Sequence, residues 1–121
     1  MHASDRDIAR HMARNCVAFR VRRASRVITR AYDKTLAPSC LSSVHVTLLS
    51  AVENRPDLNV AALADVLGLD PSTLSRALTG LLKKRLVKQQ TSGDKRERYF
   101  EATDKGRERL RVAFDLWRDA Q

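Results

Sequence analysis

The sequence between Gly68 and Pro71 most constrains the fold, because it ends one helix and begins the next within four residues. Gly68 closes an apolar helical pattern that starts after Asn59, and glycine is favoured where a helix ends in left-handed backbone. Asp70 can accept hydrogen bonds from the free amides of the next helix, and Pro71 suits its first turn, where no amide is needed. Such a tight junction predicts a helix-turn-helix whose second helix runs to about residue 84.

A strand, a turn and a returning strand are predicted directly after this second helix. The stretch 86–91 has the pattern of a strand, 92–95 that of a turn, and 96–102 that of a second strand. A hairpin that follows a helix-turn-helix is a wing, so a winged helix-turn-helix lobe is predicted over about 41–102. The remaining predicted elements of this lobe are a helix from Ser42 to Asn54 and a short edge strand at Leu58.

Long helices are predicted at both ends of the chain. Ser4 and Asp7 resemble a capping box, and no proline or glycine follows until Pro38, so one unbroken helix is expected to about residue 36. Thr103 is expected to cap the last helix. The predicted fold class is therefore mainly α (α+β), a winged helix-turn-helix with a small β-hairpin wing and long terminal helices.

Apolar residues lie on more than one face of the first helix, which is more than a small domain buries alone. A helix buried on two sides within one chain is one explanation, and a partner subunit is the one we favour. We expect a single domain, 1–121, in which about 1–36 and 103–121 are dimerisation helices. The residues expected at the dimer interface are Ile8, Met12, Leu110, Phe114 and Trp117.

The chain carries a formal net charge of +9, and the excess is locally concentrated, with seven basic and two acidic residues in 83–98. Such an excess is typical of proteins that bind nucleic acid, although a basic surface can also serve solubility alone. The sequence has no membrane-length apolar run and no signal-peptide core, so we expect a cytoplasmic protein without a membrane partner. It also lacks a glycine-rich phosphate loop and a recognisable nucleophile–base pair, so neither an enzyme nor a cofactor is expected.

The helix that begins at Pro71 has one apolar and one polar face. Its apolar face carries Leu74, Leu78 and Leu81, which leaves the opposite face exposed. That face has no carboxylate, and Arg76 can donate two hydrogen bonds to guanine O6 and N7. The simpler alternative is an amphipathic helix whose polar face is exposed to solvent and binds nothing. A second alternative is a winged helix that binds protein, which would have an acidic or apolar face. The residues expected to contact a DNA major groove are Ser72, Thr73, Ser75, Arg76, Thr79 and Lys83.

The predicted hairpin carries a cluster of charged residues at its tip and on its returning side. An arginine there can enter the narrow, negative minor groove, and Arg96 is our choice for that role. A charged tip that prevents edge-to-edge strand pairing is the alternative. The wing residues expected to act in DNA binding are Asp94, Lys95, Arg96 and Arg98.

With these elements in place, the sequence resembles the MarR family of winged helix-turn-helix regulators. The resemblance is carried by the runs LDPSTLSR at 69–76, LLKKRLV at 81–87, DKRER at 94–98 and TDKG at 103–106. The stretch ASRVITRAYD at 24–33 also resembles the first helix of the family. Members of that family usually continue into a further dimerisation helix beyond the point where this sequence ends.

The resemblance implies a sequence-specific regulator that binds a double-stranded DNA operator. A homodimer would place two recognition helices on a pseudo-palindrome and would usually repress transcription in response to a ligand. The Asp-x-Arg wing motif of the family falls on Asp94 and Arg96. It implies that Arg96 enters the minor groove and that Asp94 braces neighbouring wing residues.

What such a regulator senses is left open by the sequence. Cys16 is the candidate for a thiol-based redox sensor, although it lies two residues from the position at which hydroperoxide-sensing relatives carry their cysteine. A small anionic effector is at least as consistent with the arginines of the first helix. His11 and His45 are too few and too far apart in sequence for a metal site, so no metal is expected.

Overall fold

The computed structural model describes residues 2–90 and 97–121. It is 74% helical with one small two-stranded antiparallel sheet, which confirms the predicted fold class. The chain divides into two compact units, 1–31 and 32–121. The helices are α1 (Asp5–Asn15), α2 (Val17–Leu36), α3 (Ser43–Asn54), α4 (Val60–Leu67), α5 (Pro71–Lys83) and α6 (Asp104–Ala120), and the strands are β1 (Val87–Gln90) and β2 (Tyr99–Ala102).

The N-terminal region forms two helices, so the prediction of one unbroken helix to about residue 36 is wrong. Ser4 caps α1 as expected, because its side chain accepts a hydrogen bond from the Asp7 amide. The chain leaves the helix at Cys16, whose backbone is extended. Side chains satisfy carbonyls in the last turn of α1: Asn15 Nδ2 donates to the His11 carbonyl at 2.8 Å, and Arg20 donates to that of Arg14.

Helix α3 begins and ends where the sequence predicted. The Ser42 side chain accepts a hydrogen bond from the His45 amide, and His45 Nδ1 accepts one from the Ser42 amide at 3.3 Å. The Ser43 amide is also satisfied, since it donates to Asp33 Oδ1 at 2.7 Å. Burial and then the positive charge of Lys84 lower the pKa of His45, whereas Asp33 opposes that shift. A neutral His45 therefore completes this cap.

The junction between α4 and α5 has the predicted form. Asn59 caps α4 by accepting from the Ala62 amide, and Gly68 ends it in left-handed backbone with φ of 66°. Asp70 and Pro71 then begin α5. The core of this unit is made largely of leucines, and its largest fully buried apolar side chains are Leu36, Leu48, Leu49, Val52, Leu74, Leu78 and Leu81.

The hairpin strands are shorter than predicted. Val87 pairs with Ala102 and Gln90 with Tyr99, so the second strand begins at Tyr99 rather than at 96. The carbonyl of the preceding residue, Arg98, instead accepts a hydrogen bond from the Val60 amide. The predicted edge strand at Leu58 is also wrong, because an isolated bridge to Tyr99 forms one residue later, at Asn59. Thr91 to Arg96, which include the predicted turn, lie outside the described residues.

Helix α6 starts directly against the residues that follow α5. The Thr103 hydroxyl donates to the Arg85 carbonyl at 2.7 Å and accepts from the Gly106 amide at 3.0 Å. A Cβ on Gly106 would lie 2.1 Å from the Leu86 carbonyl oxygen, so only glycine permits this approach. The first turn of α6 is thereby fixed relative to the base of the hairpin.

Within the described part of the chain, no single helix is long and apolar enough to cross a membrane. By length and composition alone, one bent pair, Val17–Ser39 with Ser43–Asn54, passes the same test when its members are counted together.

Candidate nucleic-acid interface

Helix α5 presents its polar face outward because its apolar face is fully buried. Leu74, Leu78 and Leu81 have no exposed surface. Arg76 and Thr79 lie on the opposite side and are exposed, whereas Ser75 is half-buried. The structure therefore brings the predicted major-groove residues to one helix face, although not all to the same depth. The exposed members are Ser72, Thr73, Arg76, Thr79 and Lys83.

The start of α5 is organised around Asp70. Its carboxylate accepts a hydrogen bond from the Ser72 amide at 3.2 Å and another from the Ser72 hydroxyl. The hydroxyl bond is the main reason that the pKa of Asp70 is lowered, so the carboxylate stays charged at neutral pH. A charged Asp70 thus accepts a hydrogen bond from a free amide in the first turn of α5. It lies outside the polar face that follows.

Hydroxyl groups on this face already have partners within the protein. Thr79 Oγ1 donates to the Ser75 carbonyl at 2.9 Å, as threonine commonly does within helices. Arg76 Nη2 lies 3.5 Å from Thr73 Oγ1 and donates to it at the outer limit of hydrogen bonding. The Arg76 guanidinium remains exposed, with donors left for a ligand with planar acceptor geometry.

The base of the hairpin meets α5 through Arg98. Its Nη1 donates to Ser75 Oγ at 3.0 Å, and its guanidinium carbon lies 5.2 Å from the ring centroid of Phe100. A shallow cavity of about 340 Å³ opens beside this contact. It is lined by Asn59, Val60, Ala61, Pro71, Ser72, Ser75, Glu97 and Arg98.

Only one of the four predicted wing residues lies in the described part of the chain. Arg98 is half-buried directly before β2. Asp94, Lys95 and Arg96 lie outside the described residues, so their roles stay predictions. Sequence reasoning missed the contact between Arg98 and Ser75, because no local signal links positions 23 residues apart.

In each unit, predicted dimerisation residues expose much of their apolar surface. In the first unit, Ile8 and Met12 on α1 are 48% and 62% exposed. In the second, Phe114 and Trp117 on α6 are 53% and 37% exposed and stack with ring centroids 6.0 Å apart. They line an open groove of about 450 Å³ with the half-buried Leu110. The other lining residues are Val46, Thr47 and Ser50 on α3.

The two cysteines and the histidines take separate positions. Cys16 is half-buried at the break between α1 and α2, and Cys40 is exposed. Within residues 2–90 and 97–121, no group of three or more histidine, cysteine, aspartate or glutamate side chains could hold a metal ion. His45 is part of the cap of α3.

An antiparallel hairpin that follows two tightly joined helices defines this unit as a winged helix. The model of the MarR family matches residues 41–97, from just before α3 to just before β2. No curated protein matches the chain in sequence.

Solved structures show the same fold over most of the chain. The transcriptional regulator MosR of M. tuberculosis, solved in complex with DNA, is 33% identical, with a TM-score of 0.82, over 88% of this chain and 78% of that one. A MarR-family regulator from Rhodococcus sp. RHA1 is 25% identical, with a TM-score of 0.70, over 86% and 75%. At 19% identity, a mutant MarR of E. coli complexed with operator DNA shares the fold, with a TM-score of 0.75, over 90% and 82%. The chain belongs to the MarR family of transcriptional regulators.

Proposed function

We propose that this chain is a sequence-specific regulator of transcription that binds a double-stranded DNA operator. The observation that carries the proposal is the outward face of α5, where exposed Arg76 lies among hydroxyl side chains without a carboxylate. Small hydroxyls allow close approach to the floor of a groove, and arginine recognises guanine through two hydrogen bonds. A helix face that is only exposed to solvent would normally carry both acidic and basic residues.

Family membership supports the proposal. MosR, which is 33% identical to this chain, is solved in complex with DNA. Regulation, rather than catalysis, is the activity that the family shares. We assign the chain no enzymatic role and place its action in the cytoplasm, where the operator would be found.

The proposed complex places α5 in the major groove and the hairpin in the flanking minor groove. The proposed contacts of α5 in the major groove are Ser72, Thr73, Ser75, Arg76, Thr79 and Lys83, of which Lys83 would contact a phosphate that borders the groove. Arg96 would enter the minor groove, where the negative potential of a narrow groove attracts it, and Lys95 would add a phosphate contact. Asp94 would brace neighbouring residues of the wing. Arg98, in the same hairpin, is the fourth wing residue proposed to act in DNA binding.

We propose a homodimer because exposed apolar residues occur on both terminal helices. Isolated apolar residues are normal on surfaces, but a stacked Phe114 and Trp117 beside an open apolar groove favours an interface. The helices within about 1–36 and 103–121 would join two copies of one domain. Recognition helices would then reach half-sites about one DNA turn apart on a pseudo-palindrome, where occupancy of a promoter represses transcription.

A small anionic effector would release the proposed repressor from DNA. The arginines of α2 are the feature that favours an anion over a neutral ligand. The alternative trigger is oxidation of Cys16, which lies at the break between α1 and α2. Titration of DNA release with peroxide, in wild type and Cys16→Ser, separates the two, since equal release would exclude the thiol.

The proposed function is tested by selecting bound duplexes from random DNA and measuring affinity for the selected site against salt. Each neutralised phosphate should contribute about −0.9 to the slope of log affinity against log salt concentration. We expect a pseudo-palindromic site and a steep slope. A flat salt response, or selection of no sequence, would contradict the proposal.

A further inference from the structure

Arg98 is held by the protein through both its side chain and its main chain. Its Nη1 donates to Ser75 Oγ on α5 at 3.0 Å, and its carbonyl accepts from the Val60 amide at 2.9 Å. Val60 is the first residue of α4. One residue directly before β2 therefore joins both helices of the helix-turn-helix.

A second side-chain contact fixes the direction of the Arg98 guanidinium. The guanidinium carbon lies 5.2 Å from the ring centroid of Phe100, which is itself only 3% exposed. An arginine over an aromatic face gains cation–π attraction, and its planar fork then donates in a defined direction. The donor to Ser75 is thus presented by a group anchored in the core of the hairpin.

The contact with Arg98 restricts the direction in which the Ser75 hydroxyl hydrogen can point. A serine hydroxyl has one hydrogen and two lone pairs, and Arg98 occupies a lone pair. The hydroxyl hydrogen is therefore free to point away from Arg98 toward an acceptor. Thr79 is the opposite case, because its hydrogen is already donated to the Ser75 carbonyl and its lone pairs are left for a ligand.

We propose that Arg98 is a positioning residue that holds the wing against the recognition helix and sets Ser75 as a hydrogen-bond donor to DNA. The chemical partner of Ser75 is an acceptor, such as guanine O6 or N7 at a major-groove edge, or a phosphate oxygen. Arg98 itself acts through Ser75 rather than as a phosphate contact. This inference rests on the proposed DNA-binding function.

A double-mutant cycle on the selected operator tests this role, with Arg98→Met, Ser75→Ala and the double variant. Methionine keeps an aliphatic contact with Phe100 and removes the donor. Each single variant should lose about tenfold in affinity, the effect of one lost charge-assisted hydrogen bond. The double variant should lose no more than Arg98→Met, because both changes remove the same interaction.

The salt slope and a lysine variant distinguish positioning from phosphate contact. Arg98→Met should leave the slope close to that of Lys88→Met, a control that removes another hairpin cation, one paired with Glu101 at 3.3 Å. Arg98→Lys should lose affinity as Arg98→Met does, since an ammonium lacks the planar fork. Additive losses, a slope smaller than that of the control by about 0.9, or full rescue by lysine would overturn the proposal.

Urea unfolding of wild type, Arg98→Met, Ser75→Ala and the double variant needs no DNA. It therefore tests the link between Arg98 and Ser75 separately from the proposed DNA-binding function. Coupling between Arg98 and Ser75 in the unfolding cycle is expected, and its absence would overturn the proposed contact. If wild-type protein selected no DNA sequence, the proposed function would fail, whereas coupling in unfolding would still support Arg98 as the link between hairpin and α5. If Arg98→Met fails to fold, Arg98→Lys takes its place in both cycles with Ser75→Ala, which removes a single oxygen.

Discussion

Helices α5 and α6 pack apolar residues against the same core, yet their outward faces differ in kind. The outward face of α5 has Arg76 among small hydroxyls. That of α6 carries stacked Phe114 and Trp117 together with charges of both signs, and Arg118 lies over the Phe114 ring at 5.3 Å. The inward faces thus stabilise the fold, while the outward faces separate a surface suited to DNA from one suited to another protein chain.

The largest expected effect is on the free energy of unfolding, and it compares one glycine of α6 with one glycine of α5. Gly106→Ala should lower the free energy of unfolding by about 3 kcal/mol, because its Cβ would overlap the Leu86 carbonyl oxygen in a packed region. Gly80→Ala in α5 meets nothing within 4 Å and should raise that free energy by up to about 1 kcal/mol, since alanine favours helix. Urea denaturation measures both, and equal effects would contradict the close approach at α6.

Trp117→Ala tests whether the α6 face binds a second copy. Large aromatic side chains at the centre of an interface commonly contribute about 2 kcal/mol or more to association. We expect a lower dimer fraction in sedimentation across protein concentration, together with some loss of monomer stability, because Trp117 is only 37% exposed. Thr47→Ala, which alters the same groove without removing a large apolar side chain, is the matched control. An unchanged dimer fraction would remove α6 from the interface.

Arg76→Ala tests the opposite face, on α5. It should cost on the order of 1 to 3 kcal/mol in operator binding and relax preference at one base step per half-site. Lys83→Ala should instead weaken binding to all sequences alike, as expected for a phosphate contact. Selection from random DNA with each variant measures the difference. Intact binding in both variants would contradict the site assignment.

The smallest effect concerns α3, which packs against both helices. The pKa of His45 is lowered in the folded protein, so the unfolded chain binds its proton more readily. The stability contributed by His45 should be complete above the unfolded pKa of 6.5 and should fall slightly as pH drops below it.

His45→Gln is the matched variant for this pH effect. Glutamine at the third helical position can accept from the Ser42 amide without titrating. Unfolding midpoints between pH 5 and 8, spanning roughly the range in which histidine titrates, should therefore change less in the variant than in wild type. An identical pH profile would assign the effect to another group.

Local chemistry explains why much of the lobe was predictable from sequence. Ser42, Asn59, Gly68 and Asp70 each define a helix end through contacts within a few residues, and the structure places α3, α4 and α5 accordingly. The polar face of α5 was predictable for the same reason, because helical spacing of its leucines fixes the opposite side. The family could likewise be identified from motifs that lie within single elements.

Two features of the backbone were not predicted from the sequence. The break at Cys16 arises without proline or glycine, with Asn15 and Arg20 donating to carbonyls of α1. The second strand starts late because the Arg98 carbonyl pairs with Val60 rather than with β1. Neither event follows from residue preferences. The late start of the second strand depends on a partner far away in sequence, whereas the break at Cys16 accompanies side-chain contacts within six residues.

The sequence by itself determined the helix-turn-helix junction, the acid-free face of α5 and membership of the MarR family, because capping, periodicity and motif spacing act locally. Only the tertiary structure decided that Ser75 is half-buried and that its hydroxyl accepts from Arg98. The reason is physical: folding brings the hairpin back across α5, and that return fixes which donors and acceptors remain for a ligand.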